Sequence, residues 1–223
     1  MKRLLLILEH PPSLPTTHWG REKLETSIIN LSVKKGSIVT IKGPSGSGKS
    51  TLLSLIGSLD RPDEGEVIFN NENIDAINDI NNFRNEKIGF IFQSHNLISE
   101  LSLQENVLLP REISGKEVNH QGIKDLFKFF DLDMRMKSYP NDLSGGEKQR
   151  ISVMRAIINH PSLVIADEPT GNLDQKNVLK MIELFKKLNK EHNLTFIIAT
   201  HDSAVFDIGD KKLQLTEGNL KKI

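Results

Sequence analysis

Apolar residues follow two different spacings along this chain, and each spacing predicts one kind of element. Segments 37–43 and 88–92 are predicted strands, and segments 162–167 and 194–200 are two uninterrupted apolar runs. Such runs are typical of strands buried on both faces of a parallel sheet. Between the last two, segment 177–188 repeats apolar residues at helical spacing, namely Val178, Ile182, Phe185 and Leu188. The order strand, helix, strand predicts a doubly wound α/β fold with a mostly parallel sheet and flanking helices.

Two stretches depart from this alternation. Segment 65–74, GEVIFNNENI, resembles a β-hairpin with an asparagine-rich turn and indicates a small antiparallel β region. The stretch from about 94 to 161 contains helix-compatible pieces and few strand signals, so we expect an inserted helical subdomain there. The chain is then a single domain, 1–223, whose core lobe consists of residues 1–93 and 162–223.

Composition narrows the class of protein. The 29 Lys and Arg residues balance 29 Asp and Glu residues, which gives no global field that would attract nucleic acid. The absence of cysteine excludes disulfides, thiol catalysis and cysteine-based zinc sites. The apolar run from Leu4 to Leu8 is too short for a signal peptide, and no stretch approaches the roughly 18 apolar residues of a membrane span. We expect a soluble or peripheral protein.

A glycine-rich segment lies between a predicted strand and a predicted helix. It matches the pattern G-x-x-x-x-G-K-[ST] and comprises Gly43, Pro44, Ser45, Gly46, Ser47, Gly48, Lys49, Ser50 and Thr51. Glycines let backbone N–H groups converge on phosphate oxygens, and the start of the helix adds its positive end. Lys49 is expected to bridge β- and γ-phosphates, and Ser50 to offer its hydroxyl to Mg²⁺. A turn that matches by accident is the alternative.

Two adjacent carboxylates end the apolar run 162–167. Asp167 and Glu168 are predicted at the carboxyl edge of a buried strand, where open α/β sheets bind ligands. Asp167 is expected to complete the metal site begun by Ser50, and Glu168 to act as general base on an attacking water. Solvated charges at an ordinary strand end are the alternative, and the phosphate loop in the same chain disfavours it.

Segment 143–150, LSGGEKQR, lies after the phosphate loop and shortly before Asp167 and Glu168. With these motifs in this order, residues from about 20 to 220 resemble the ATP-binding-cassette ATPases, which have a P-loop NTPase core. Ser144 and Glu147 also fit a helix capping box, and that role is compatible with binding of phosphate at the same helix N-terminus. The resemblance implies that Ser144, Gly145, Gly146 and Glu147 close over ATP held by a second subunit.

The resemblance also implies roles for other individual residues of this chain. Gln93 matches the glutamine that contacts Mg²⁺ and the attacking water. His201 matches the histidine that contacts the γ-phosphate, and Asp174 ends a loop, 171–174, that crosses the dimer interface in the family. The family also stacks an aromatic side chain on adenine, for which Trp19 is the candidate and His18 the neighbouring alternative.

A narrower resemblance concerns segments 92–98, 105–110 and 167–174. They look like the subgroup that serves lipoprotein release, macrolide and bacitracin export, and the cell-division complex. This implies a homodimer that binds ATP and Mg²⁺ beneath an integral membrane permease, on the cytoplasmic face of the cell membrane, with residues from about 94 to 112 forming the groove for the permease. A soluble ATPase of DNA repair or translation, and a module that binds ATP without hydrolysing it, are the rival hypotheses.

Overall fold

The computed structural model of this chain describes residues 3–8 and 29–223. Trp19 and His18 lie outside the described residues. The strands are β1 (Arg3–Leu8), β2 (Ile29–Lys34), β3 (Ile38–Lys42), β4 (Glu66–Phe69), β5 (Glu72–Asn73), β6 (Ile88–Phe92), β7 (Leu163–Asp167), β8 (Thr195–Ala199), β9 (Lys211–Thr216) and β10 (Asn219–Lys222). The α-helices are α1 (Lys49–Ile56), α2 (Ile80–Lys87), α3 (Leu103–Ile113), α4 (His120–Phe129), α5 (Gly145–Ile157), α6 (Gln175–His192) and α7 (Ser203–Phe206).

The larger sheet has the strand order β10-β9-β3-β8-β7-β6. Its neighbours pair in parallel from β9 to β6, and β10 adds an antiparallel edge through a hairpin with β9. The mostly parallel sheet expected from the apolar runs is therefore confirmed.

Alternate residues of the central strands belong to two different hydrophobic clusters. In β7, Val164 and Ala166 pack with one cluster, whereas Leu163 and Ile165 pack with the other. The first cluster includes buried residues of α3, α4, α5 and α6, and the second includes those of α1. Both faces of the strand are thus covered, which is why its sequence is apolar from Leu163 to Ala166.

The smaller sheet is antiparallel and has the order β2-β1-β4-β5. Its tight β4–β5 turn holds Asn70 and Asn71 at φ of 53° and 74°. Asparagine tolerates this left-handed conformation better than most residues, so the asparagine-rich turn has a physical cause. The predicted hairpin and antiparallel region are confirmed.

Helices α3, α4 and α5 lie between β6 and β7 and form the inserted helical subdomain. Helix α5 approaches β6 so closely that a Cβ on Gly89 would be 2.2 Å from the carbonyl oxygen of Ala156. Within residues 3–8 and 29–223, no helix combines the length and apolar character required to cross a membrane.

Candidate nucleotide-binding site

Four strands of the larger sheet end at one level. Ile41 of β3 is in register with Ala199 of β8, Ala199 with Asp167 of β7, and Asp167 with Phe92 of β6. Because these strands are parallel, the residues that follow them leave the sheet at the same edge. The structure therefore gathers the phosphate loop, Asp167 and the segments that carry Gln93, Glu168 and His201.

The phosphate loop joins β3 to α1 with two glycines in left-handed conformation. Gly46 has φ of 77° and Gly48 has φ of 92°, values that a residue with a Cβ rarely adopts. Gly48 is also the N-cap of α1, where no side chain caps the helix and no acidic residue lies in the first turn. The first N–H groups of α1 are left for an anion.

Lys49 lies folded over the same loop. Its Nζ donates to the carbonyl oxygens of Gly43, at 2.9 Å, and of Pro44, at 3.1 Å. A Cβ on Gly43 would be 2.3 Å from the backbone oxygen of Leu215 in β9, so only glycine lets the loop lie this close to the sheet. The ammonium group is thus held at the mouth of the loop by neutral acceptors that a phosphate can replace.

Asp167 ends β7 with one carboxylate oxygen unsatisfied. Its Oδ1 is buried and has no hydrogen-bond partner among the described residues, and neither does Ser47 Oγ in the phosphate loop. Buried polar atoms are nearly always hydrogen-bonded or bound to an ion. These two atoms are therefore suited to contact a bound group.

Glu168 and His201 form a pair across the ends of β7 and β8. Glu168 Oε2 lies 2.8 Å from His201 Nδ1 and accepts from the His201 backbone N–H at 3.1 Å. The Glu168 side chain is 16% exposed, whereas that of His201 is 69% exposed. Glu168 has φ of 46°, a left-handed value for a residue with a long side chain. Such backbone strain is common at functional sites.

Gln93 leaves β6 and lies against the loop that follows Glu168. A Cβ on Gly171 would be 2.7 Å from Gln93 Nε2, so the glycine makes room for the amide. Asn172 Nδ2 also donates to the Gln93 backbone oxygen at 3.1 Å. The structure thus joins Gln93 to the segment 171–174, a contact that no single motif in the sequence indicates.

The predicted capping box at the start of α5 is present. Ser144 Oγ accepts from the Glu147 N–H at 3.4 Å, and Glu147 Oε2 accepts from the Ser144 N–H at 2.9 Å and from its hydroxyl at 2.6 Å. The Ser144 hydroxyl and N–H hold the pKa of the Glu147 carboxyl below its usual value. Ser144 and Gly145 are exposed. No hydrogen bond between described residues joins this helix start to the phosphate loop.

Asp174 caps its own helix. Its carboxylate accepts from the backbone N–H of Asn177 at 2.9 Å and from the Asn177 side chain at 2.9 Å. A Cβ on Gly146 would be 2.7 Å from Asn177 Oδ1, so α6 lies directly against the glycines of segment 144–147. Asp174 is thus linked within one chain to the start of α5.

His95, Asn96 and Arg155 form a contact that no sequence motif indicates. The Arg155 guanidinium donates to the carbonyl oxygens of His95, at 2.7 Å, and Asn96, at 2.5 Å. Burial, and secondarily the charge of Lys148, lowers the pKa of His95. No spacing rule pairs residues about 60 positions apart, so the sequence holds no signal for this contact.

Comparisons with known proteins show the family to which this chain belongs. Residues 26–171 match the family model described as ABC transporter. The lipoprotein-releasing system ATP-binding protein LolD of Cytophaga hutchinsonii is 49% identical over 85% of this chain and 89% of its own length. The uncharacterized ABC transporter ATP-binding protein MJ0796 of Methanocaldococcus jannaschii is 42% identical over 87% of this chain and 86% of its length.

Solved structures show the same fold. A dimeric, post-hydrolysis structure of MJ0796 bound to ADP and Pi superposes with a TM-score of 0.84 at 36% identity and covers 98% of both chains. The structure of cbiO1 from Clostridium perfringens, part of the transporter complex cbiONQ, gives a TM-score of 0.81 at 25% identity and covers 99% of this chain and 88% of its own. This chain belongs to the ABC transporter family, in the lipoprotein-release, macrolide-export and cell-division subgroup, as an ATP-binding and ATP-hydrolysing subunit.

Proposed function

We propose that two copies of this chain close around two ATP–Mg²⁺ and thereby drive a separate integral membrane permease. The observation that carries the proposal is the separation of two phosphate-binding helix starts within one chain. The start of α1 lies in the phosphate loop beside Asp167 and Glu168, whereas the start of α5 is exposed and shares no hydrogen bond with that loop among the described residues. A second copy of the chain would supply the α5 start that completes the phosphate site.

The donor set fits Mg²⁺. Ser50, Gln93 and Asp167 offer a hydroxyl, an amide oxygen and a carboxylate, and hard cations such as Mg²⁺ prefer oxygen ligands together with substrate phosphates. The buried, unpartnered Oδ1 of Asp167 supports this assignment. When bound, Mg²⁺ would neutralise charge on the phosphate oxygens.

The hydrolysis uses residues from the edge of the sheet. The Glu168 carboxylate accepts a proton from the water that attacks the γ-phosphorus, and His201 and Gln93 orient this water. The bond from the γ-phosphorus to the β–γ bridging oxygen breaks, so that phosphate and ADP result. Lys49 stabilises the charge on the phosphates as it leaves the carbonyl oxygens of Gly43 and Pro44.

The other copy contributes its α5 start. Ser144 and the two glycines after it would bind the γ-phosphate, while Glu147 keeps the helix start rigid through the capping box. Asp174 and Trp19 remain candidates for the dimer contact and for adenine stacking. ATP favours the closed pair because it binds both copies only in that state.

The permease has a candidate docking groove between the two lobes. It has a volume of about 390 Å³ and lies between α2, α3 and α5. Among the described side chains that line it, the apolar ones are Leu59, Ile88, Phe90, Phe92, Leu109, Pro110, Ile113 and Ala156, and the charged ones are Arg84 and Arg155. An apolar helix face that carries a carboxylate fits this lining. The expected segment 94–112 contributes Leu109 and Pro110 to it.

The named relatives support a permease over a soluble role in DNA repair or translation, since LolD is called part of a lipoprotein-releasing system and cbiO1 part of a transporter complex. The chain then lies on the cytoplasmic face of the membrane. The core lobe 1–93 and 162–223 would hold nucleotide, and the helical subdomain 94–161 would carry the signal to and from the permease.

A cysteine cross-linking experiment tests this proposal, because the chain has no cysteine of its own. Ile113→Cys places a thiol in the groove, where Ile113 is 73% exposed, and Leu179→Cys places one on α6, where Leu179 is 51% exposed. In native membranes a thiol–photoreactive cross-linker attached to the Ile113→Cys variant should give an adduct with an integral membrane protein. The same reagent on the Leu179→Cys control should not. Adducts with soluble proteins alone, or the same adducts from both variants, would reject the permease.

A further inference from the structure

Arg155 on α5 contacts two parts of the molecule. Its guanidinium donates to the carbonyl oxygens of His95 and Asn96, which follow Gln93 by two and three residues. The same side chain lines the groove between α2, α3 and α5. Arg155 therefore lies between the surface assigned to the permease and the loop that carries Gln93.

The Arg155 contact helps to hold the shape of the loop after Gln93, together with the backbone hydrogen bonds from His95 to Phe92 and from Asn96 to Ser94. His95 and Asn96 have φ of 61° and 50°, two consecutive left-handed residues without a glycine. Histidine and asparagine adopt this conformation more readily than most residues, but two such residues in succession are uncommon and are held here by surrounding contacts. The two carbonyl oxygens point to one guanidinium, whose planar fork suits a pair of acceptors.

The loop is also attached on its other side. Asn172 Nδ2 donates to the Gln93 oxygen, and the Gln93 amide lies against Gly171. The loop is thus held between α5 and the segment that follows Glu168. A shift of Arg155 relative to the sheet would move Gln93 against Gly171.

The surroundings of Arg155 make it responsive to an occupant of the groove. Burial lowers the pKa of its guanidinium, and none of the ion pairs between described residues includes it. Electrostatic interactions are stronger for a group withdrawn from water. A carboxylate arriving in the groove would therefore compete with the two carbonyl oxygens for the guanidinium.

We propose that Arg155 is a positioning residue that transmits occupancy of the groove to Gln93, and so links permease docking to ATP hydrolysis. This inference rests on the proposed function for the role of the groove. The hydrogen bonds of Arg155 to residues 95 and 96 lie within a single chain, so they can be tested without the permease.

The test compares Arg155→Lys with Arg111→Lys. Lysine keeps the charge, but its single ammonium replaces the fork that binds both carbonyl groups. Arg111 is a matched control, because its guanidinium also donates to two backbone oxygens, those of Glu117 at 2.7 Å and Ile158 at 3.3 Å, and it does not line the groove.

The first measurement is amide hydrogen exchange of residues 93–98 in the isolated chain. Arg155→Lys should raise their exchange rates about tenfold or more, since the contact that holds the two left-handed residues is weakened. Arg111→Lys should leave these rates unchanged. Equal exchange in Arg155→Lys and wild type would overturn the positioning role, whatever the permease does.

The second measurement is kcat and KM for ATP, with and without the permease captured by cross-linking. For Arg155→Lys the ratio of stimulated to basal kcat should fall roughly tenfold, within the usual range of coupling between sites, and the KM for ATP should change by less than about twofold. An unchanged ratio would overturn the proposal that Arg155 transmits groove occupancy to Gln93. This includes the case in which basal and stimulated kcat fall by the same factor while the melting temperature also falls. Absence of any stimulation in wild type would reject the proposed function instead.

Discussion

The starts of α1 and α5 are both phosphate-binding candidates, but they lie in different surroundings. The start of α1 has no side-chain cap and lies beside Asp167 and Glu168 at the edge of the sheet. The start of α5 is fully capped by Ser144 and Glu147 and is exposed, without catalytic carboxylates beside it. The α1 start therefore lies beside the catalytic carboxylates, whereas the α5 start offers a rigid cap with Ser144 and Gly145 exposed.

The start of α3 has a capping box without glycines and serves as a comparison for the start of α5. Ser102 and Glu105 at the start of α3 form a box with nearly the same distances as Ser144 and Glu147, 2.7 Å and 2.6 Å to Glu105 Oε2 and 3.3 Å to Ser102 Oγ. The residues that follow Ser102 are Leu103 and Gln104, whereas Gly145 and Gly146 follow Ser144. The glycines distinguish a candidate anion site from an ordinary cap.

The largest expected effect is the loss of ATP turnover when the general base at the edge of the sheet is removed. Glu168→Gln keeps the shape of the side chain but removes the base, so ATP turnover should fall at least a hundredfold, within the range of about 10²–10⁴ for general bases. ATP binding should persist, since the phosphate loop is intact. Steady-state phosphate release and equilibrium binding of a fluorescent ATP analogue measure the two properties. Glu183→Gln, an exposed change on α6, is the control, and equal turnover in both variants would refute the assignment of Glu168.

The second effect separates the capping role of Ser144 from its binding role. Ser144→Ala and Ser102→Ala should each lower the free energy of unfolding by about 1 kcal/mol, as loss of an N-cap does. Only Ser144→Ala should also lower ATP turnover, by about 30-fold, which corresponds to about 2 kcal/mol for a hydrogen bond to a charged group. Denaturant unfolding and steady-state ATPase assays check this. Similar turnover in the two variants would restrict Ser144 to capping.

The third effect concerns the contact of Gln93 with the segment 171–174. Gly171→Ala would place a methyl group 2.7 Å from Gln93 Nε2, and the flexible amide must move. We expect kcat to fall about fivefold through misplacement of Gln93, with little change in melting temperature. Gly122→Ala is matched, since its methyl group would lie 3.0 Å from Asn119 Nδ2, away from the site. A normal kcat for Gly171→Ala would show that Gln93 tolerates displacement.

The two helix starts also differ in how far the sequence predicts them. The phosphate loop, Asp167 and Glu168 are predictable because strand ends in a parallel sheet meet at one edge, and the apolar runs identify those ends. The cap of α5 follows from the spacing of Ser144 and Glu147 alone. The contacts of Gly146 with Asn177 and of Arg155 with His95 are not predictable in this way, because they join helices and loops whose packing no local pattern specifies.

The smallest effect tests the charge in the α5 capping box. Hydrogen bonds from Ser144 hold the pKa of Glu147 below its unfolded value of 4.5. The carboxylate therefore stabilises the folded chain fully above pH 4.5, and this contribution is lost as the pH falls through the lowered folded pKa. Glu147→Gln keeps a side chain that can cap but removes the titration.

Between about pH 7 and pH 3, the free energy of unfolding of wild type should decline more steeply than that of Glu147→Gln. The difference should stay below about 1 kcal/mol, because the Glu147 side chain is 22% exposed and solvent screens the charge. Denaturant unfolding at each pH measures the two slopes. Parallel slopes would mean that the hydroxyl and N–H of Ser144 hold the carboxyl equally well in either protonation state, and the rigidity of the α5 start would then rest on geometry alone.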